Sequence, residues 1–296
     1  MAEMLFGKPV ADAISERLVP RIEALRKAQG SSEHDMTSGA IIPKLAIVRV
    51  GERPDDLSYE RGALKRADAL GIEVEVRSFP EDTSEDELID ALERINLDES
   101  IHGCLLFRPL PLSIDEARVC NALLPEKDVD GITTGSLAGV FMDQPWGFPP
   151  CTAQACVELL DHYGIEVAGK RVVVVGRSLV IGKPVAMMLL AKNATVTLCH
   201  SRSQDLGAIC QEAEVVLFAT GRARAYGEEF ISVGQTVLDV GINIDEAGDL
   251  CGDVDFDEVE DTAHAITPVP RGIGSVTTAV LMQHVVEAAE RAAKAS

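Results

Sequence analysis

Two stretches of this chain have the residue types and spacing that chemistry requires. The first is Gly176-Arg177-Ser178-Leu179-Val180-Ile181-Gly182-Lys183-Pro184, which follows the strand-like run Arg171–Val175. Glycines at both ends permit a tight turn, Ser178 can donate to an oxygen, and a helix opening at Lys183-Pro184 presents free N–H groups to an anion. The loop lacks the middle glycine of G-x-G-x-x-G, so it departs from the usual dinucleotide fingerprint, and a plain turn is the alternative reading. The second is the end of the next strand, His200-Ser201-Arg202-Ser203, with no acid before Asp205. An acid there holds the ribose hydroxyls of NAD. Arg177, Ser201 and Arg202 instead offer charge-assisted hydrogen bonds to a 2′-phosphate. NADP is therefore the expected cofactor and NAD the alternative.

The elements that must carry these loops follow from pattern. Residues 8–27 have helical periodicity, and the polar stretch Ser31–Gly39 is expected to be a loop. Leu45–Val50 is an apolar run ending at Gly51, as a buried strand does. A helix over Ser58–Leu70 stops at Gly71, a strand runs over Ile72–Phe79, and Ser84–Ile95 opens with an acidic turn suited to a helix start. The strand Gly103–Phe107 is halted by Pro109 and Pro111. This β-α-β-α-β order implies a parallel sheet covered by helices. Met142–Pro150, rich in Pro and Gly, is expected to cross between domains, with a helix over Thr152–Tyr163 following it. Arg171–Val175, Ala194–Cys199, Val215–Ala219 and Thr236–Val240 then supply strands of a doubly wound, nucleotide-binding sheet. The last helix covers Ser275–Lys294. The expected division is 1–149, 150–275 and a C-terminal helix, 276–296, packing back on the first domain.

Composition narrows the function. The chain has 27 Lys and Arg against 48 Asp and Glu, a formal charge of −21, with no basic block, which disfavours nucleic acid and anionic membranes as partners. No apolar run approaches the roughly 20 residues of a membrane span. The amino terminus lacks the basic flank and apolar core of a signal peptide, so the expected location is the cytoplasm. Seven cysteines with no C-x-x-C pair are expected to be reduced and structural, and no metal site is expected.

The motifs in order resemble the methylenetetrahydrofolate dehydrogenase/cyclohydrolase family along nearly the whole chain. They are Val50-Gly51 with Pro54, Ser58-Tyr59, Pro109-Leu110-Pro111, Lys127-Asp128-Val129-Asp130-Gly131, Pro150-Cys151-Thr152 and Gly176-Arg177-Ser178 with Gly182 and Pro184. Asp239-Val240-Gly241-Ile242-Asn243, Gly252-Asp253-Val254 and Thr267-Pro268-Val269-Pro270 complete the series. The resemblance implies an α/β architecture: an N-terminal folate-binding domain, a Rossmann-like domain for the nicotinamide, and a cleft between them. It implies that Gly176, Arg177 and Ser178 meet the cofactor pyrophosphate and ribose, Ser201 the 2′-phosphate, and Ile242 the nicotinamide. Tyr59 would stack on or orient the folate and Asp130 would bond the pterin, both as catalytic residues. Phe107, Pro270, Arg271 and Gly272 would complete the substrate contacts. Without the resemblance, a core tyrosine and a capping aspartate are the better readings. A homodimer is implied as well.

Departures from the family pattern bear on the chemistry. Ala63 stands where the family has Lys, four residues after the tyrosine, and Phe107 stands where it has Gln. Lys65, six residues from Tyr59, lies about 240° round a helix from it and cannot share its face. Arg271 replaces a glycine, and Ser275-Val276 replaces Pro-Met. Hydride transfer from the methylene bridge needs positioning and no base, whereas hydrolysis of the methenyl product needs proton transfer. The expectation is a dehydrogenase that has lost its cyclohydrolase. The alternatives are a bifunctional enzyme recruiting Lys65 or Arg66, and a catalytically idle folate- or nucleotide-binding protein.

Overall fold

Two apolar runs that end at glycine, Lys44–Val50 and Arg171–Val175, become inner parallel strands of two sheets. In the computed structural model, which describes residues 1–27 and 40–295, the chain starts with the short strand β1 (Glu3–Met4) and the long helix α1 (Gly7–Lys27). The loop expected at Ser31–Gly39 lies outside the described residues. β2 (Lys44–Val50) ends at Gly51, whose φ of 70° turns the chain into α2 (Pro54–Leu70). α2 starts a turn earlier than Ser58 because Pro54 takes the first helical position, where no N–H is needed. It ends on a left-handed Gly71. β3 (Glu73–Phe79) and α3 (Glu85–Leu97) follow, the latter closed by a Ser84–Glu87 capping box. Then come β4 (Gly103–Leu106), α4 (Glu116–Cys120), α5 (Thr134–Met142) and α6 (Cys151–His162). The second half runs β5 (Arg171–Val175), α7 (Gly182–Ala191), β6 (Thr195–Cys199), α8 (Leu206–Gln211), β7 (Val215–Phe218) and β8 (Thr236–Asp239). A small antiparallel hairpin, β9 (Asn243–Ile244) with β10 (Leu250–Cys251), precedes α9 (Phe256–Val259), β11 (Ala265–Ile266) and α10 (Thr277–Ala295).

These elements group into two units. One holds Met1–Asp12, Val140–Asp143 and Pro150–Thr277; the other holds Ala13–Gly139, Gln144–Pro149 and Thr278–Ser296. The expected first domain, 1–149, therefore needs correction at its start. β1 pairs in parallel with β11, Glu3 opposite Ala265, and so extends the nucleotide-type sheet. A two-residue strand has no periodicity by which to be recognised.

In the Ala13–Gly139 unit a parallel sheet has the order β3-β2-β4. Ala46, Val48 and Val50 pack with Leu88, Leu92 and Ile95 of α3 in one core. The cation of Lys127 donates to the carbonyls of Ile95 and Asp98, both at 2.6 Å, closing the end of α3. Burial pushes that lysine's pKa down. α5 carries no helical pattern, since it contains two glycines and β-branched residues. It forms because Asp128, fully buried, accepts the Ile132 and Thr133 N–H groups at 3.0 and 2.7 Å, and Thr133 Oγ1 accepts from Ser136. Arg21 on α1 forks onto Glu290 on α10 with bonds of 2.8 and 2.7 Å.

The other unit has one six-stranded parallel sheet in the order β1-β11-β8-β7-β5-β6. The chain leaves β5 for β6 on one side and returns to β7 on the other, which is the doubly wound pattern with its switch point beside β5. All seven cysteines are unpaired and buried. Among the described residues no helix is long and apolar enough to cross a membrane.

Asp128 tests the account of α5. Asp128→Ala leaves the buried Thr133 N–H and the part-buried Ile132 N–H without an acceptor, at about 1–3 kcal/mol for the first and less for the second. The urea midpoint should fall by an amount corresponding to about 2–4 kcal/mol. A shift below about 0.5 kcal/mol would show that α5 does not depend on this carboxylate.

Candidate active site

The nucleotide loop sits at the switch point. Gly176 N–H donates to the Cys199 carbonyl at 2.9 Å, so Arg177 and the Ser201-Arg202 pair follow the ends of neighbouring strands. Gly176 has φ 135°, and a Cβ there would lie 2.2 Å from the Ala219 carbonyl oxygen. A Cβ on Gly182 would lie 2.0 Å from the Gly176 carbonyl oxygen. Both glycines are therefore required by close backbone approach. Ser178 Oγ accepts the Ile181 N–H at 3.1 Å and keeps its own proton to donate. Ile181 gives no side-chain cap to α7. The Lys183 N–H donates to the Ser178 carbonyl at 3.0 Å and Pro184 carries none, so Gly182 supplies the N–H that the helix start offers an anion. Arg177, Ser201 and Arg202 are exposed, and neither arginine forms an ion pair among the described residues. His200 shapes the second loop: its Nδ1 accepts the Arg202 N–H and its own N–H donates to Ser203 Oγ. This chain's residues fit a phosphorylated dinucleotide.

Two buried aspartates hold the neighbouring loops. Asp253, fully buried, accepts the N–H groups of Thr220, Gly221 and Arg222, the Thr220 hydroxyl and the Asn243 amide. Asp239 accepts from Gly241, Asp253 and Val254. Burial pushes the Asp239 carboxyl up to about 7, against the opposing pull of those N–H donors. The loop after β8 thus presents Ile242, 65% exposed, at the rim of a cavity of about 220 Å³. The same cavity is lined by Pro270, Arg271 and Gly272. Arg271 adopts φ 86°, a region that favours glycine, and its guanidinium lies 5.4 Å from the centre of the Phe6 ring. Asp239 and Asp253 fall in motifs seen in the sequence, but nothing in their spacing shows that they are buried acceptors.

In the Ala13–Gly139 unit, Tyr59 meets Phe107 edge to face, with ring centres 5.9 Å apart and planes at 84°. Tyr59 is half-buried and Phe107 is 8% exposed. Ala63, one turn along α2, is fully buried, so the face beside Tyr59 is apolar. Lys65 is exposed, and Arg66 donates to Thr278 Oγ1 and Ser15 Oγ at 3.1 and 3.0 Å. Asp130 is half-buried in the turn between Asp128 and Gly131 that follows the bridge Cys104–Asp128. The buried His284 donates through Nδ1 to the Val129 carbonyl, which fixes that turn. The structure therefore joins Tyr59 with Phe107 and, in the other unit, Ile242 with Pro270, Arg271 and Gly272. Sequence spacing did not reveal the buried pair Arg49–Glu60 next to Tyr59.

A doubly wound sheet with a glycine-bounded loop and an uncapped helix at its switch point defines a dinucleotide-binding α/β protein. Comparison with known proteins narrows this further. Residues 5–130 match the catalytic domain, and residues 150–293 the NAD(P)-binding domain, of tetrahydrofolate dehydrogenase/cyclohydrolase. The chain belongs to that family. It is 50% identical over 292 residues to the bifunctional protein FolD of Carboxydothermus hydrogenoformans, covering 98% of each chain. It is 49% identical over 286 residues to that of Clostridioides difficile, covering 97% of this chain and 96% of the other. Among solved structures it is similar to the bifunctional FolD enzyme of Campylobacter jejuni, with a TM-score of 0.91 and 32% identity over 98% of this chain and 99% of that one. The Trypanosoma brucei enzyme, solved with NADP and an inhibitor, gives 0.89 and 31% with 99% of each chain covered.

Asp239 makes stability depend on pH. Its folded pKa, about 7, lies above the ordinary aspartate value, so the folded state binds a proton that the unfolded chain has released. Its contribution is fully present below about pH 4 and is lost as pH rises toward 7, with a slope of up to about 1.4 kcal/mol per unit. Asp239→Asn should flatten the pH–stability curve in that window, measured by urea unfolding at several pH values. Identical slopes in both proteins would refute the assignment.

Proposed function

We propose that this protein oxidises 5,10-methylenetetrahydrofolate to 5,10-methenyltetrahydrofolate with NADP and has lost cyclohydrolase activity. Family membership and the cofactor loop support the first part. The observation that carries the second is the apolar face of Ala63 and Phe107 beside Tyr59. The relatives named above are called bifunctional, so the loss is a statement about these two positions of this chain.

The residues divide the work as follows. Tyr59, Phe107 and Asp130 take the folate, Tyr59 orienting its ring system and Asp130 bonding the pterin. Pro270, Arg271 and Gly272 extend the substrate contacts, and Arg271 brings positive charge toward an anionic folate in a chain of formal charge −21. Gly176, Arg177 and Ser178 hold the pyrophosphate and ribose, Ser201 and Arg202 the 2′-phosphate, and Ile242 the nicotinamide. When bound, the nicotinamide accepts hydride from the methylene carbon, leaving a methenyl cation shared by its two nitrogens. No proton is removed, so the protein's residues act by positioning, and no general base is needed. Hydrolysis of the product requires proton transfer between oxygen and nitrogen, for which an apolar face supplies no group. In the bifunctional alternative Arg66 or Lys65 would take that role, yet Arg66 is engaged by Thr278 and Ser15 and Lys65 is exposed. A homodimer and a cytoplasmic location belong to the proposal on family resemblance.

Cofactor choice is checked by steady-state kinetics. kcat/KM should be higher with NADP than with NAD, and Arg202→Ala should narrow the gap by about tenfold, the worth of one charge-assisted hydrogen bond. A wild-type preference for NAD would reverse the assignment.

The hydrolase question has its own assay. General acid–base assistance is worth about 10²–10⁴-fold, so methenyltetrahydrofolate should accumulate and decay at the buffer rate. Ala63→Lys with Phe107→Gln should restore some hydrolysis, whereas Ala63→Lys alone would place an unpartnered cation against an apolar ring, where its charged form is disfavoured. Wild-type acceleration of methenyl hydrolysis well above buffer would overturn the reading.

A further inference from the structure

We propose that the buried Arg49–Glu60 ion pair is a positioning device that sets the orientation of α2, and with it the ring of Tyr59, against the folate. The inference rests on the reading of Tyr59 as a folate contact. Along β2 the side chains of Ala46, Val48 and Val50 enter the core under α3, so strand alternation turns Leu45, Ile47 and Arg49 to the opposite face. Arg49 is 8% exposed, a costly place for a guanidinium unless it is paired. Its Nε donates to Glu60 Oε2 at 3.0 Å, and its Nη1 donates to the Gly51 carbonyl. Both side chains of the pair are nearly buried, 9% and 13% exposed, so solvent screens it little.

Its place in the fold ties the pair to the site. β2 lies beside β4 with Val48 opposite Leu106, and the Phe107 N–H donates to the Val48 carbonyl at 2.9 Å. Phe107 therefore stands next to Arg49 across the two strand ends. Glu60 follows Tyr59 directly on α2. One ion pair thus links the strand end, the Gly51 turn and the helix at the level where Tyr59 meets Phe107. α2 has a particular need of such a link. Its N-cap, Arg53, makes no side-chain cap bond, and Pro54 supplies no N–H. Side chains add to the hold on the first turns: besides Arg49–Glu60, Arg53 donates to the Pro109 carbonyl at 3.2 Å. The fork of Arg49 fixes angle as well as distance, which a single-point lysine contact cannot do.

The test replaces the pair with apolar residues of similar length, Arg49→Met with Glu60→Leu, since a buried ion pair exchanged for packed apolar side chains commonly keeps the fold. In the intact enzyme, kcat/KM for methylenetetrahydrofolate should fall about tenfold or more through misplacement of Tyr59, with KM for NADP unchanged. In a Tyr59→Leu background the same double change should cost less than about twofold, because both act through one ring. Arg49→Lys keeps the charge without the fork and should show the same pattern at smaller amplitude, so it serves should the apolar pair fail to fold. Wild-type folate kinetics in the folded variants, losses that add to that of Tyr59→Leu, or an equal rise in KM for NADP would overturn the inference while leaving Tyr59 as a folate contact. If Tyr59→Leu by itself leaves folate kinetics unchanged, the underlying reading falls and the inference falls with it.

Discussion

Two carboxylates without solvent organise the carboxyl end of the six-stranded sheet. A buried charge is costly unless hydrogen bonds replace its water, and Asp253 collects five donors while Asp239 collects three. Six of those eight donors are backbone N–H groups of the segments that follow β7, β8 and β10, so the loops are pinned by the need to satisfy the acids. The neighbouring glycines answer the same constraint. A Cβ on Gly241 would lie 2.2 Å from Asp253 Oδ1, and one on Gly252 would lie 1.8 Å from Asp239 Oδ2. The D-V-G-I-N and G-D-V motifs are therefore two halves of one packing problem. Ile242, exposed at the cavity rim, is placed by that solution and makes none of these bonds itself.

The other unit solves its positioning problem with different means. Its sheet has three strands, so the side chains at the strand ends carry much of the orientation. Arg49 clamps the β2 turn to α2, His284 holds the carbonyl before Asp130, and Asp128 starts α5. What these contacts surround is an apolar face formed by Ala63, Phe107 and one edge of Tyr59. Such a face suits a reaction that asks for placement of donor and acceptor. It suits poorly a reaction that must shuttle protons, because an apolar wall raises the cost of every charged intermediate protonation state.

Parallel strands buried on both faces appear in the sequence as apolar runs ending at glycine, and Leu45–Val50 and Arg171–Val175 were legible for that reason. Gly71 marks the end of α2 through a conformational preference that no packing overrides. Ordered motifs likewise made the family legible, along with the glycine-bounded loop and the missing acid after β6. Each of these depends on the residue's own stereochemistry or on its close neighbours in the chain.

Tertiary structure decided the rest, because the partners lie far apart in sequence. β1 joins β11 across 262 positions of chain, and two residues carry no pattern that announces it. α5 forms against its composition because Asp128 supplies acceptors that propensity does not count. Arg271 replaces a glycine, and only the fold shows that it keeps the left-handed backbone and rests on Phe6. Asp239, Asp253 and Arg49 look like ordinary surface charges in one dimension. Burial makes them organising groups, and burial is a property of the packed chain, set by which distant segments exclude water from the same place.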